Sequence, residues 1–335
     1  MSTQHVLELT GTPQPPRVGR HWLGAPLREF QGPLAEVARH IPEFGRRPFV
    51  SSGDGPEASG VNPYYDVIVR LPTALEPFEI PVGIVSKSYR LVQHREVLTT
   101  AIEALAEVGI NASQGATGLE ITEHGERMAL SLDLSGKDGR YQFQVAADDF
   151  MGLRLRCFNS VDGTTRFTAL VEWLRLVCSN GLTVGSTLTH FRRVHRGALS
   201  VNEIGETLWT GIEAATDERA RLGEWLRTPV HAKQLADWVD GPLKERWGVK
   251  AATRAYHIAK TGRDASLKDP FENELPSRRQ TTPGSPVPGA LVPAGNAFAV
   301  SQVLSWLAGQ RGDVQDKFDR QSEIAELIRK LVNPN

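Results

Sequence analysis

Cysteine is scarce in this chain: two residues, Cys157 and Cys178, in a length of 335. Two thiols cannot build the disulfide framework of a small secreted domain. They are also too few for a structural zinc site without help from distant histidines. Long apolar runs are missing as well. No stretch approaches the roughly 18 uninterrupted apolar residues of a membrane span. The opening MSTQHVLELTGTPQPP has no basic region followed by an apolar run, so no secretory signal is expected. The expected address is the cytoplasm, away from membranes. An excess of one charge is also absent. Lys and Arg number 38 against 39 Asp and Glu, a net charge of −1. That excludes a globally basic nucleic-acid binder but leaves room for a local basic face.

Signatures of catalysis are missing too. There is no H-E-x-x-H and no paired His/Cys cluster, and His190 and His195 are five apart, which suits neither one helix face nor a zinc pattern. GLTVGS (181–186) lacks the G-K-[ST] ending of a phosphate-binding loop and reads as a turn after a buried strand. No G-x-S-x-G nucleophile elbow occurs. Asp148–Asp149 and Asp133 are carboxylates of the type a Mg²⁺ nuclease uses, but the first two look like a turn and no third carboxylate stands at a partner spacing. His94, His190 and His195 read as surface or capping residues, and Cys157 and Cys178 as core residues on strands. No cofactor is expected, and the chain reads as a binding protein more readily than as an enzyme.

The pattern that is present divides the chain in three. Residues 1–60 are rich in Pro and Gly and read as a flexible arm, with a short helix around 34–41. Residues 61–198 read as a sheet domain: strands at 64–72 and 78–86, a helix at 94–108 stopped by Gly109, then strands at 118–124, 127–135, 141–148, 153–161 and 166–178. The last is apolar on both faces, as a central covered strand is. Residues 199–335 read as helical, at 200–226, 231–248, 251–260, 296–310 and 316–332, with a Pro-rich connection at 269–293. Strands first and helices second imply an α+β class: a mostly antiparallel sheet backed by a helix and followed by a helical layer or lobe. Trp209, Trp225, Trp238, Trp247 and Trp306 read as packing anchors in that helical half.

The strongest functional feature is positive charge between Gly152 and Ser200. Arg154, Arg156, Arg166, Arg175, Arg192, Arg193 and Arg196 stand against Asp162 and Glu172, a surplus of five with no lysine. Arginine suits bidentate phosphate contact and stacking on bases. Residues two apart on a strand share a face, so Arg154 and Arg156 point one way, opposite Leu153, Leu155 and Cys157. Lys87 and Arg90, with Arg95, extend the stripe. A strand-built track for single-stranded nucleic acid needs such phosphate contacts, with rings for stacking. The competing reading leaves these arginines solvated or paired with Asp and Glu on the helices.

Several segments together resemble a known family: SKSYRLVQHREVL (86–98), LRLVCSNGL (174–182), FRRVHRGAL (191–199), NAFAVSQVLSW (296–306) and RQSEIAELIRKLV (320–332). In their order and spacing they resemble the phage/plasmid-like proteins that carry domain of unknown function 932, over roughly residues 60–335. The Pro-rich insert before Asn296 departs from that pattern. The resemblance implies mobile-element biology and supplies no catalytic residues. It leads to the expectation of an accessory protein that binds single-stranded nucleic acid in replication, recombination or transfer and forms homo-oligomers. The alternative is a protein-interaction module, such as a host-defence antagonist.

Overall fold

The computed structural model describes residues 21–51, 60–74, 76–134, 141–146, 149–175, 189–193, 219–269 and 273–334, together with positions 206, 209, 210 and 217. Within them lie three antiparallel sheets and two groups of helices, the α+β class expected from the order of elements.

The largest sheet is built from β1 (His21–Trp22), β2 (Ala25–Gly32), β6 (Thr117–Thr122), β7 (Arg127–Asp133), β9 (Asp149–Ser160), β10 (Phe167–Arg175) and β11 (Thr189–Arg193), in that spatial order, with β8 (Gln142–Ala146) also paired to β9. The alternation expected of strands is strict here. Leu130 and Leu132 of β7 and Leu153, Leu155 and Cys157 of β9 enter one large core, joined from β10 by Phe167, Ala169, Val171 and Trp173. The opposite face is covered as well. There Ala129, Phe158 and Leu170 pack under Trp22 and Leu27, and under Val314 and Phe318 of the last helix.

A second sheet stands beside the first: β3 (Phe44–Ser51), β4 (Gly60–Arg70) and β5 (Ile80–Ser86), with β4 in the middle. The short helix expected around 34–41 is there as α1 (Leu34–Val37), but β1, β2 and β3 also fall in the stretch read as a flexible arm, so that reading is corrected for residues 21–51. Pro and Gly interrupt this stretch, and β2 and β3, though eight residues each, lack the strong alternation that marks β7 or β9. The two sheets meet at the β9–β10 turn. Gly83 of β5 lies so close to Asp162 that a Cβ would sit 2.6 Å from its Cα. The Tyr89 hydroxyl donates to Ser160 O at 3.0 Å across the same joint. Helix α2 (His94–Glu107) buries Val97, Leu98, Ala101, Ala104 and Leu105 in the main core. Its end is as expected: Gly109 takes φ +76°, and Ile110 N donates back to Leu105 O at 2.8 Å.

The C-terminal half carries helical residues 219–227 (α3), α4 (Ala232–Trp238), α5 (Lys244–Thr261), α6 (Ala297–Gly309) and α7 (Val314–Val332). A π-helical turn over Val239–Leu243, holding Pro242, joins α4 to α5, and α5 kinks at Gly248, φ +83°. Two helices expected from the sequence, at 231–248 and 251–260, are thus one kinked run. The expected Pro-rich connection is not free of structure. It contains β13 (Thr281–Pro286), which pairs with β12 (Arg263–Leu267). α6 is apolar around nearly its whole circumference and is buried accordingly. Asn296 caps it by accepting from Ala299 N at 2.8 Å, and Asp313 caps α7 by accepting from Gln315 N and Asp316 N. Trp225, Trp238 and Trp247 are buried as packing anchors, whereas Trp209 is exposed.

Candidate nucleic-acid interface

The arginine stripe separates into three parts. Arg154 and Arg156 do share one face of β9, opposite Leu153, Leu155 and Cys157, as the strand period requires. That face is enclosed. Arg154 Nε donates to Asp133 Oδ1 at 2.5 Å, Arg156 Nη2 donates to Glu120 Oε2 at 3.4 Å, and the Arg156 guanidinium lies 4.9 Å from the centre of the Phe158 ring. Glu172 is the register partner of Arg154 on β10, and Lys317 of α7 completes the group. Glu172 is fully enclosed, and its Oε1 has no hydrogen-bond partner among the described residues. Burial pushes the Glu172 carboxyl above the usual carboxylate range, although Arg156, Arg154 and Lys317 pull the other way. Burial also works to lower the Arg154 guanidinium, but Asp133, Glu172 and Glu120 together hold it above its ordinary value. Three cations thus meet three carboxylates under α7. The charge count missed this because Glu120, Asp133 and Lys317 lie outside the 152–200 segment and reach it only through strand pairing and helix docking.

The second part is at the surface. Arg166 is exposed just before β10. Arg90 pairs with Glu96 at 3.2 Å, both about one-third exposed. Lys87 is paired with buried Asp66, which Arg46 also approaches, at 3.6 Å. Arg95 donates weakly to the carbonyls of Ala38 and Ile41, at 3.5 Å each. The third part lies outside the described residues: Arg196 entirely, and the side chains of Arg175, Arg192 and Arg193. By backbone register Arg192 stands opposite Thr168 and Arg193 opposite Phe167 on β10.

The β3–β4–β5 sheet carries a surface that sequence reasoning missed. Among the described residues eleven large hydrophobics are exposed, and six of them, Val50, Val61, Tyr64, Tyr65, Phe78 and Ile84, belong to this sheet and its β4–β5 connection. Such a concentration marks a contact surface more than scattered exposure does. The register aligns Arg47, Val67 and Ile84 across the three strands, and Tyr65 shares their face two residues along β4. Between the pairs Pro48–Asp66 and Val50–Val61, one residue of β3 faces four of β4. In that bulge Asn62 Oδ1 accepts from Tyr64 N at 2.8 Å and Tyr65 N at 3.0 Å, which sets the backbone that holds both rings outward. Tyr64 is 72% exposed and Tyr65 47%. Arg47 grips Glu79 with both arms of its fork, Nε to Oε2 at 3.1 Å and Nη2 to Oε1. The signal lay in the adjacent tyrosines of YYDVIVR, but the strand bringing Arg46 and Arg47 beside them was hidden in the presumed arm.

The remaining candidates have structural duties or lie elsewhere. His94 is buried, not at the surface. Its Nε2 meets Gly125 O at 2.7 Å and its Nδ1 meets Asn159 Nδ2 at 2.9 Å, an arrangement that suits a neutral ring donating from Nε2. The His190 side chain, His195, Cys178, Asp148 and the 181–186 turn are outside the described residues. Cys157 is buried, and burial pushes its thiol up to about 12, far from a nucleophile's range. Among the described residues no group of three or more His, Cys, Asp or Glu is placed to hold a metal ion, and no helix is long and apolar enough to cross a membrane.

The fold therefore defines an α+β protein whose main sheet has a buried cluster on each face and whose exposed Tyr64, Tyr65 and Arg47 sit on a smaller sheet at its side. The chain belongs to the family described as Domain of unknown function (DUF932), whose profile matches residues 81–290, well over half its length. That family carries no assigned biochemical activity. No curated protein and no solved structure matches the chain at a significant level.

Proposed function

We propose that this protein is a mobile-element accessory protein that binds single-stranded nucleic acid, and that the exposed face of the β3–β4–β5 sheet is the surface that does so. One observation carries the reading: Tyr65 and Arg47 share one exposed face of the sheet, with exposed Tyr64 beside them. Exposed rings offer sequence-tolerant stacking for bases, and neighbouring cations track phosphates. Arg166 and Arg90 extend the basic margin from the adjoining β9–β10 turn and the approach to α2. Arg154 and Arg156 are kept out of this surface by their ion pairs. A role in replication, recombination or transfer, with several copies along one strand, fits such a binder.

Fluorescence anisotropy of a labelled single-stranded oligonucleotide, with a duplex beside it, tests the reading at low and moderate salt. Salt-dependent binding that favours the single strand is expected. Tyr65→Ala should weaken it by about 1–3 kcal/mol, roughly five- to 150-fold. Arg47→Ala should flatten the salt dependence by one phosphate contact, a slope change of about 0.7 for a single strand. Absence of binding at low salt would defeat the proposal.

A second reading is favoured by Val50, Val61 and Ile84, whose aliphatic side chains stack poorly on bases and suit a protein partner. On that reading the same sheet is a protein-interaction module without enzymatic activity. Recovery of one stoichiometric protein from element-bearing cells, lost in Ile84→Asp and unaffected by competing oligonucleotide, would establish it.

A further inference from the structure

The cations of the exposed sheet are already engaged, and the two engagements differ in kind. Asp66 is a buried carboxylate, 7% exposed, held between Lys87 and Arg46 on the side of the sheet that faces the body of the protein. No ligand reaches it without opening that packing. Glu79 is different. It stands before β5 at the surface, 35% exposed, and lies against Arg47, whose side chain is 47% exposed. Both arms of the Arg47 fork are committed to the two Glu79 oxygens, and these contacts raise the guanidinium above its ordinary value. A phosphodiester oxygen pair presents the same bidentate acceptor geometry to arginine as a carboxylate does. Glu79 thus occupies the Arg47 fork, where a backbone phosphate would sit, and Arg47 lies in register with Val67 and Ile84, one step from Tyr65.

We propose that Glu79 is an electrostatic gate of this surface: it occupies the Arg47 fork in the free protein and is displaced by a backbone phosphate when a single-stranded nucleic acid lies across β3–β4–β5. This rests on the nucleic-acid reading above and adds its regulation. An exposed ion pair is weak enough for phosphate to replace, so the gate tunes affinity and does not block binding. The displaced carboxylate remains a like charge beside the bound phosphate, so the gate also lowers the net positive charge the strand meets. Tyr65 provides contact that needs no such exchange.

The test uses the full chain and a fluorescein-labelled oligothymidylate, titrated by anisotropy at stepped salt for wild type, Glu79→Gln, Arg47→Ala and the double variant. Glu79→Gln is expected to bind about two- to fivefold more tightly than wild type at low salt, while Arg47→Ala loses the one phosphate contact that both wild type and Glu79→Gln make. The gain should vanish in the double variant, because it acts only through Arg47. Circular dichroism and a thermal midpoint near wild type show that Glu79→Gln is folded. If wild type binds but Glu79→Gln binds equally or more weakly, the gate is overturned and the binding surface stands. A gain that persists without Arg47 also overturns it, since the effect would then be general charge. If neither protein binds at low salt, the nucleic-acid reading itself fails and the gate falls with it.

Discussion

Replacing Arg156 by Ala separates a structural arginine from a ligand-binding one. Arg156 is 5% exposed, pairs with Glu120 at 3.4 Å, lies over the Phe158 ring at 4.9 Å, and is the largest favourable influence on the Glu172 carboxyl. The substitution leaves Glu120 and Glu172 enclosed with one counter-charge fewer. Removing one partner of a buried ion pair costs about 3–5 kcal/mol, mostly the penalty of the charge left behind. Loss of the guanidinium over the ring acts in the same direction, on the order of 0.5–2 kcal/mol. Against a typical total stability of about 5–15 kcal/mol, the first cost alone is a large share. Urea unfolding followed by tryptophan fluorescence should therefore show a much lower midpoint, with binding by the surviving folded fraction close to wild type. Adding Glu172→Gln to Arg156→Ala should recover part of the loss, because a neutral amide needs no counter-charge. A stability change within about 0.5 kcal/mol, typical of a free surface position, would refute the argument. It would do so decisively if oligonucleotide binding collapsed at the same time.

Three further outcomes follow from the same geometry. Because burial raises the Glu172 carboxyl, the folded chain holds that proton more tightly than the unfolded chain. The favourable contribution is full below the ordinary carboxylate range and is lost as pH rises through the folded-state value. Glu172→Gln should thus gain on wild type in thermal midpoint as pH increases from acid to neutral, and a pH-independent difference would contradict this. Gly83→Ala should destabilise the joint between the two sheets by about 1–3 kcal/mol, because its Cβ meets the Asp162 backbone and not a movable side-chain end; an unchanged urea midpoint would show that the joint yields. Cys157 should resist iodoacetamide at pH 8 in the folded protein and react once unfolded, since its thiol is buried and raised to about 12. Mass-mapped labelling of Cys157 at equal rates in both states would count against its place in the core.

Local pattern and tertiary assembly determined different parts of this protein. β7, β9 and β10 were legible because each alternates over seven or more residues and the period of a strand is two. α2 was legible from its apolar spacing and from Gly109, the one residue type that takes φ +76° without strain. The α+β order, the enclosed Cys157 and the shared face of Arg154 and Arg156 followed from the same local rules. β1, β2 and β3 were not legible. They are interrupted by Pro and Gly and lack strict alternation, and β2 is held by pairing to β6, which is distant in the chain. The meaning of the arginines was not local either. A strand period says that two side chains share a face, but not whether that face meets water. Docking of α7 decided this, bringing Lys317 and Phe318 over the sheet from more than a hundred residues away while strand pairing set Asp133, Glu120 and Glu172 beside the arginines. The exposed tyrosines were visible as letters, yet only the pairing of β4 with β3 and with β5 brought Arg47 and Glu79 to their sheet. Periodicity is written in neighbouring residues and survives in the sequence alone. Burial and charge pairing depend on contacts between distant residues, and the folded structure alone assigns them.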